Sequence, residues 1–128
     1  TVMFIDVCGF TAITEQIPAN EVVALLNGIF DKIVKEIIAQ GGHVDKFMGD
    51  AVMAVFRGEY HLDRAIDVAL AVKEQISNLE VALDGDKTYK PQISIGINSG
   101  EMVSGNIGSA SLRRLDYTVI GDAVNVIR

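Results

Sequence analysis

The sequence predicts an α+β domain with a ferredoxin-like βαββαβ core and additional strands toward its C-terminal end. Three observations predict it: two long segments with apolar residues at helical spacing, strand-like runs before, between and after them, and a Gly-Asp turn joining two of those runs. With 128 residues and 49% hydrophobic content the chain can bury one core and is too short for two, so residues 1–128 read as one domain. Internal repeats and low-complexity segments are absent.

Thr1 to Val7 is a short apolar run rich in β-branched residues that ends at Cys8-Gly9, the pattern of a buried strand followed by a tight turn, with Asp6 near its C-terminal end. After Pro18, Asn20 is a suitable N-cap, and Val22, Leu26, Ile29, Ile33 and Ile37 recur at three-to-four spacing until Gly41-Gly42 stops the pattern. A long amphipathic helix is expected there. His43 to Met48 and Ala51 to Phe56 read as two strands joined at Gly49-Asp50, which places Asp50 at the tip of a hairpin. Leu62, Ile66, Ala69, Val72, Ile76 and Leu79 mark the inward face of a second helix, and Asp84-Gly85-Asp86-Lys87 after it reads as a loop. Past Pro91, Ile93, Ile95 and Ile97 alternate with smaller or polar residues; Met102 to Ile107 and Tyr117 to Ile120 follow as further strands, and Ala123 to Arg128 opens a helix.

Composition narrows the function. Eleven Lys and Arg against seventeen Asp and Glu give a net charge of −6, which argues against nucleic acid as a partner because polyanion binding relies on clustered bases. An acidic protein can still bind a nucleotide, provided divalent cations neutralise the phosphates. Cys8, the single cysteine, makes no internal disulfide and fits a reducing compartment. No apolar run approaches the roughly 20 residues needed to cross a bilayer, so no direct membrane insertion by this segment is expected. A cytoplasmic location is expected, as a domain of a larger protein, since the chain opens without an initiator Met.

In a split βαβ sheet the first strand lies beside the hairpin, so Asp6 and Asp50 converge. Two carboxylates at one sheet edge repel unless a cation lies between them, and a metal pair about 3.5–4 Å apart is the recurring solution in phosphoryl-transfer sites. Taken singly, Asp50 suits a Gly-Asp turn and Asp6 merely ends a strand. The turn at Gly9-Phe10-Thr11 adds backbone N–H groups next to Asp6, a nest suited to phosphate oxygens. Lys46, taken alone, reads as a solvated strand charge pairing with Asp45 or Asp50. Met48, Met53, Phe47 and Phe56 read as core filling, and His43 and His61 as surface or capping residues without ligand spacing.

Three blocks in order, Phe4-Ile5-Asp6-Val7-Cys8-Gly9-Phe10-Thr11, Asp45-Lys46-Phe47-Met48-Gly49-Asp50-Ala51-Val52-Met53-Ala54 and Tyr117-Thr118-Val119-Ile120-Gly121-Asp122-Ala123-Val124-Asn125, resemble the class III adenylyl and guanylyl cyclase catalytic domain. Gly96-Ile97-Asn98-Ser99-Gly100 and Val103-Ser104-Gly105-Asn106-Ile107-Gly108 extend the likeness over essentially the whole chain. The resemblance implies the cyclase homology fold and conversion of ATP to cyclic AMP and pyrophosphate. It further implies two Mg²⁺ or Mn²⁺ ions on Asp6, Asp50 and the Val7 carbonyl, with Gly9, Phe10 and Thr11 around the triphosphate. Lys46 and Thr118 match the base-reading positions; Lys suits an acceptor nitrogen of adenine, whereas guanylyl cyclases of the family carry Glu there. Asn125 matches the catalytic Asn that orients the ribose. The family pattern then runs three residues to a charge-stabilising Arg, while only two separate Asn125 from Arg128. Arg128 is therefore either that Arg displaced by one position, about 100° around a helix, or a residue from beyond an omitted stretch.

The resemblance also implies a head-to-tail homodimer in which Asp6 and Asp50 of one subunit face Lys46, Thr118 and Asn125 of the other across a two-fold axis. The family domain continues past residue 128, so a domain shortened at its C-terminus, with covalently attached regulatory domains elsewhere, is expected. The rival readings are a guanylyl cyclase and a catalytically silent nucleotide-binding or dimerisation module in a signalling protein. A diguanylate cyclase would carry a Gly-Gly-Asp/Glu-Glu-Phe signature, absent here, and a polymerase palm would need a basic template track.

Overall fold

A computed structural model describes residues 1–82, 88–101, 103–109 and 114–120. Its first strand, β1 (Val2–Cys8), is followed by a short helix α1 (Phe10–Thr14), the long helix α2 (Ala19–Ala39), the hairpin β2 (His43–Met48) and β3 (Ala51–Val55), and helix α3 (His61–Ser77). Two dipeptide strands, β4 (Val81–Ala82) and β5 (Thr88–Tyr89), pair with each other ahead of β6 (Gln92–Asn98), and β7 (Val103–Ser109) pairs with β8 (Arg114–Ile120). The main sheet runs β2-β3-β1-β6 with every neighbour antiparallel, the order expected of βαββαβ connectivity.

Alternation along the strands gives the sheet two faces. Met3, Ile5 and Val7 of β1, with Val52, Ala54 and Phe56, join Ile29, Phe30, Ile33 and Ile37 of α2 and Ala65, Val68, Val72 and Ile76 of α3 in one core. Val2, Phe4, Met53 and Val55 form a smaller cluster with Met48 on the opposite face, which none of the described helices covers.

The helix ends have local causes. Pro18, not Asn20, is the N-cap of α2: its carbonyl accepts from the N–H groups of Glu21 and Val22, both at 3.0 Å, and Asn20 sits inside the first turn. Proline is pre-set for the entry, and Glu21 complements the positive end of the helix dipole. At the other end Gly41 takes the left-handed conformation, φ 73°, and the Arg64 guanidinium donates to the Gln40 carbonyl at 2.9 Å and to the Glu59 carbonyl at 3.0 Å.

Two further sequence expectations are corrected. The inward face of α3 is carried by Ala65, Val68, Val72 and Ile76, while Leu62 and Ile66 are exposed; the sheet and α2 rotate the helix away from the stripe with the largest side chains. Phe47 is 53% exposed instead of core filling, its ring tilted against Phe30 on α2 with centroids 5.1 Å apart. The short helix α1 and the β4–β5 ladder lacked a periodic signal. The expected loop at residues 84–87 and helix at 123–128 lie outside the described residues.

Candidate active site

The site is assembled at the ends of β1 and the β2–β3 hairpin. Asp6 lies opposite Ala51 on one side and Ser94 on the other. The ladder continues one step further, with the Val7 N–H donating to the Asp50 carbonyl at 3.0 Å. Residues 6 and 7 thus run directly alongside residues 50 and 51, so the backbone segments that carry Asp6 and Asp50 are adjacent. Gly49 makes the turn possible by adopting φ 61°, a conformation that side chains resist.

Asp6 is exposed on the face opposite α2 and α3, because its neighbours Ile5 and Val7 turn inward to the core. Asp50 is half-buried in the turn. Ala51, the residue between them across the ladder, is small, and Ser94 places a hydroxyl-bearing residue on the same face of the adjacent strand. Beyond β1, Gly9 adopts φ 68° and opens α1. The Phe10 ring is buried in the core, so Phe10 anchors the turn and can offer a ligand only its backbone. The Tyr89 hydroxyl donates to the Cys8 carbonyl at 3.5 Å; burial first, and the neighbouring Cys8 second, push its pKa above the usual tyrosine value.

Lys46 reaches the same face as Asp6 through an irregularity. Val44 pairs with Ala54, but Lys46 pairs with Met53, so the register slips and Asp45 is the extra residue of a β-bulge. Val44 packs against the main core, whereas Lys46 stands opposite Met53 on the Asp6 face, two strands away from Asp6. In an unbroken strand Val44 and Lys46 would share one face. The Asp45 side chain is fully buried, and its Oδ2 lies 3.7 Å from the Lys46 ammonium, whose side chain is 38% exposed. Asp45 was legible only as a pairing partner of Lys46; the irregularity that inserts it leaves one trace in the sequence, Val44 and Phe47, apolar residues three apart where strict alternation allows two or four.

Thr118 lies on β8, opposite Gly105 of β7. Asn125 and Arg128 lie outside the described residues. Two carboxylates and a backbone carbonyl suit Mg²⁺, which keeps waters and substrate phosphates in its shell and seldom takes an all-protein cage. Among the described residues no group of three or more His, Cys, Asp or Glu gathers as such a cage. A groove of about 520 Å³ beside the hairpin is lined by Leu26, Phe30, Val34, Phe47 and Gly49, and does not include Asp6, Asp50 or Lys46.

Residues 1–127 match the family described as adenylate and guanylate cyclase catalytic domain. This chain belongs to that family. The cyclase fold is matched by a bacterial light-regulated adenylyl cyclase, with TM-score 0.83 and 34% identity over 98% of this chain and 37% of that one. The guanylyl cyclase Cya2 matches with TM-score 0.78, also at 34% identity, over 98% of this chain and 65% of that one. An adenylate cyclase of Anabaena cylindrica is 38% identical over 130 residues, 98% of this chain and 25% of that protein. The chain spans about a fifth to a quarter of the length of such curated relatives, which are larger proteins. Class III cyclases typically use two metal ions. No helix among the described residues is long and apolar enough to cross a membrane.

Proposed function

We propose that this chain is the catalytic domain of an adenylyl cyclase, acting on ATP at the interface of a homodimer within a larger, cytoplasmic signalling protein. The observation that carries the reading is Lys46, a cation turned by the Asp45 bulge onto the same sheet face as Asp6. Adenine offers an acceptor nitrogen that an ammonium can donate to. Solved relatives include adenylyl and guanylyl cyclases at equal identity, so the base preference rests on this residue and on Thr118.

Asp6, Asp50 and the Val7 carbonyl would hold two Mg²⁺ or Mn²⁺ ions, which would supply activation of the ribose 3′-hydroxyl and neutralisation of charge on the leaving pyrophosphate. Gly9, Phe10 and Thr11 present backbone donors to the triphosphate. Lys46 and Thr118 of the second subunit orient the purine, Asn125 orients the ribose, and Arg128 stabilises charge on the transferring phosphorus. The 3′-oxygen bonds to the α-phosphorus as the bond to pyrophosphate breaks and the hydroxyl proton leaves to solvent, and the protein's contribution is alignment and electrostatics.

The test is conversion of ATP and of GTP with Mn²⁺ over a range of concentrations of the full-length protein. Cyclic AMP formation with specific activity rising with concentration is expected. Preference for GTP refutes the base assignment, and binding of ATP without turnover by either nucleotide favours the silent module.

A further inference from the structure

We propose that Tyr89 is a positioning residue for the triphosphate: its hydroxyl holds the Cys8 carbonyl and so fixes the peptide from which the Gly9-Phe10-Thr11 turn departs. The inference rests on the proposed assignment of that turn to the triphosphate. The Tyr89 hydroxyl donates to the Cys8 carbonyl at 3.5 Å, from a strand 81 residues further along the chain. Cys8 is the last residue of β1, and Gly9 after it takes the left-handed conformation, φ 68° and ψ 14°. The Tyr89 side chain packs against the main core and its backbone pairs with Val81 of β4, so the hydroxyl is delivered from a supported position.

A peptide group is planar and trans, so its C=O and its N–H point in opposite directions. Holding the Cys8 oxygen on one side therefore aims the Gly9 N–H to the other, and that N–H is the first donor of the turn. The chain leaves the sheet at this point. Asp6 is the last residue of β1 in register with β3, and Cys8, opposite Gln92, is the last in register with β6. Gly9 lies beyond both ladders, has no side chain to lodge it, and has wider conformational freedom than other residues. A hydroxyl bonded to the preceding carbonyl restricts that freedom at the adjoining peptide. Tyr89 acts on the phosphates through this backbone alone, so removal of its hydroxyl should weaken binding and leave the chemical step as it was. The bond is long and solvent reaches it, which sets a modest size for the effect.

The experiment compares wild type with Tyr89→Phe in the full-length protein; Phe keeps the ring and removes only the donor. Calorimetric titration with inorganic triphosphate and Mg²⁺ reads the turn without base or turnover, and steady-state kinetics with ATP and Mn²⁺ read the reaction. Tyr89→Phe should raise the Kd for triphosphate and the KM for ATP by a similar factor, about threefold or more, while kcat stays within about twofold of wild type. Its thermal midpoint, measured without ligand, should stay within about 2 °C, since the packed ring is retained. A contact that serves the fold alone would move the midpoint and leave the triphosphate affinity in place. An unchanged Kd for triphosphate, a fall in kcat with KM unchanged, or a lower midpoint without loss of triphosphate affinity overturns the proposal. So does a wild type that does not bind triphosphate. A wild type that binds triphosphate but cyclises neither ATP nor GTP refutes the cyclase reading instead, and the change in triphosphate Kd then decides the role of Tyr89 by itself.

Discussion

The two faces of the β2-β3-β1-β6 sheet come from the same four strands, yet they do opposite work. On one face Met3, Ile5, Val7, Val52 and Ala54 are sealed under α2 and α3, in a core that includes Ile33 and Ile37 at 0% exposure. On the other, a cluster of Val2, Phe4, Met53 and Val55 is bordered by the exposed Asp6 and by Lys46. The difference teaches where rigidity and chemistry are divided. Close packing fixes the strands from behind, so that charged side chains on the front can be held in place without contributing to the core.

Breaking the front without touching the back should give the largest effect. Asp6→Ala and Asp50→Ala each are expected to lower cyclase turnover roughly a hundredfold or more, comparable to loss of a group that stabilises transition-state charge. Their thermal midpoints should stay within about 2 °C of wild type, since neither side chain belongs to the core. Turnover and melting curves measured on the same preparations check both halves.

Breaking the back should do the reverse. Ile33→Ala removes a fully buried side chain and should cost about 2–5 kcal/mol in chemical denaturation, with the KM for ATP unchanged in the protein that remains folded. Gly42→Ala sharpens the same point from the overpacked side. A Cβ at position 42 would lie 2.6 Å from the Phe56 ring and 2.8 Å from the Ile37 side chain, both buried, so about 1–3 kcal/mol of destabilisation is expected by the same measurement. The smallest effect belongs to the outer side of α3. Ile66→Gln, at a position 41% exposed, should change stability by no more than about 0.5 kcal/mol; a core-sized loss there would mean that α3 faces the sheet as its sequence stripe predicts.

Much of this arrangement was legible beforehand. The order of elements, the hairpin with Asp50 at its turn and the approach of Asp6 to it all follow from periodicity and turn chemistry, because a buried strand and a Gly-Asp turn leave strong local patterns. The facing of α3 did not follow. Ala65 and Val68 are small beside Leu62 and Ile66, and size alone favours the larger pair, whereas the packing of α3 between α2 and β6 decides for the smaller one. Phe47 failed similarly: an aromatic residue in a strand reads as core until the neighbouring helix is known to meet only one side of its ring.

By itself the sequence determined the fold class, the family, and the residues expected to hold metal and base, since each depends on residue type and spacing along the chain. Tertiary structure alone decided which face of the sheet Lys46 occupies and that Asp45 beside it is buried. The physical reason is that strand register is a property of two paired strands: the slip between Val44 and Lys46 exists only against Ala54 and Met53 of β3.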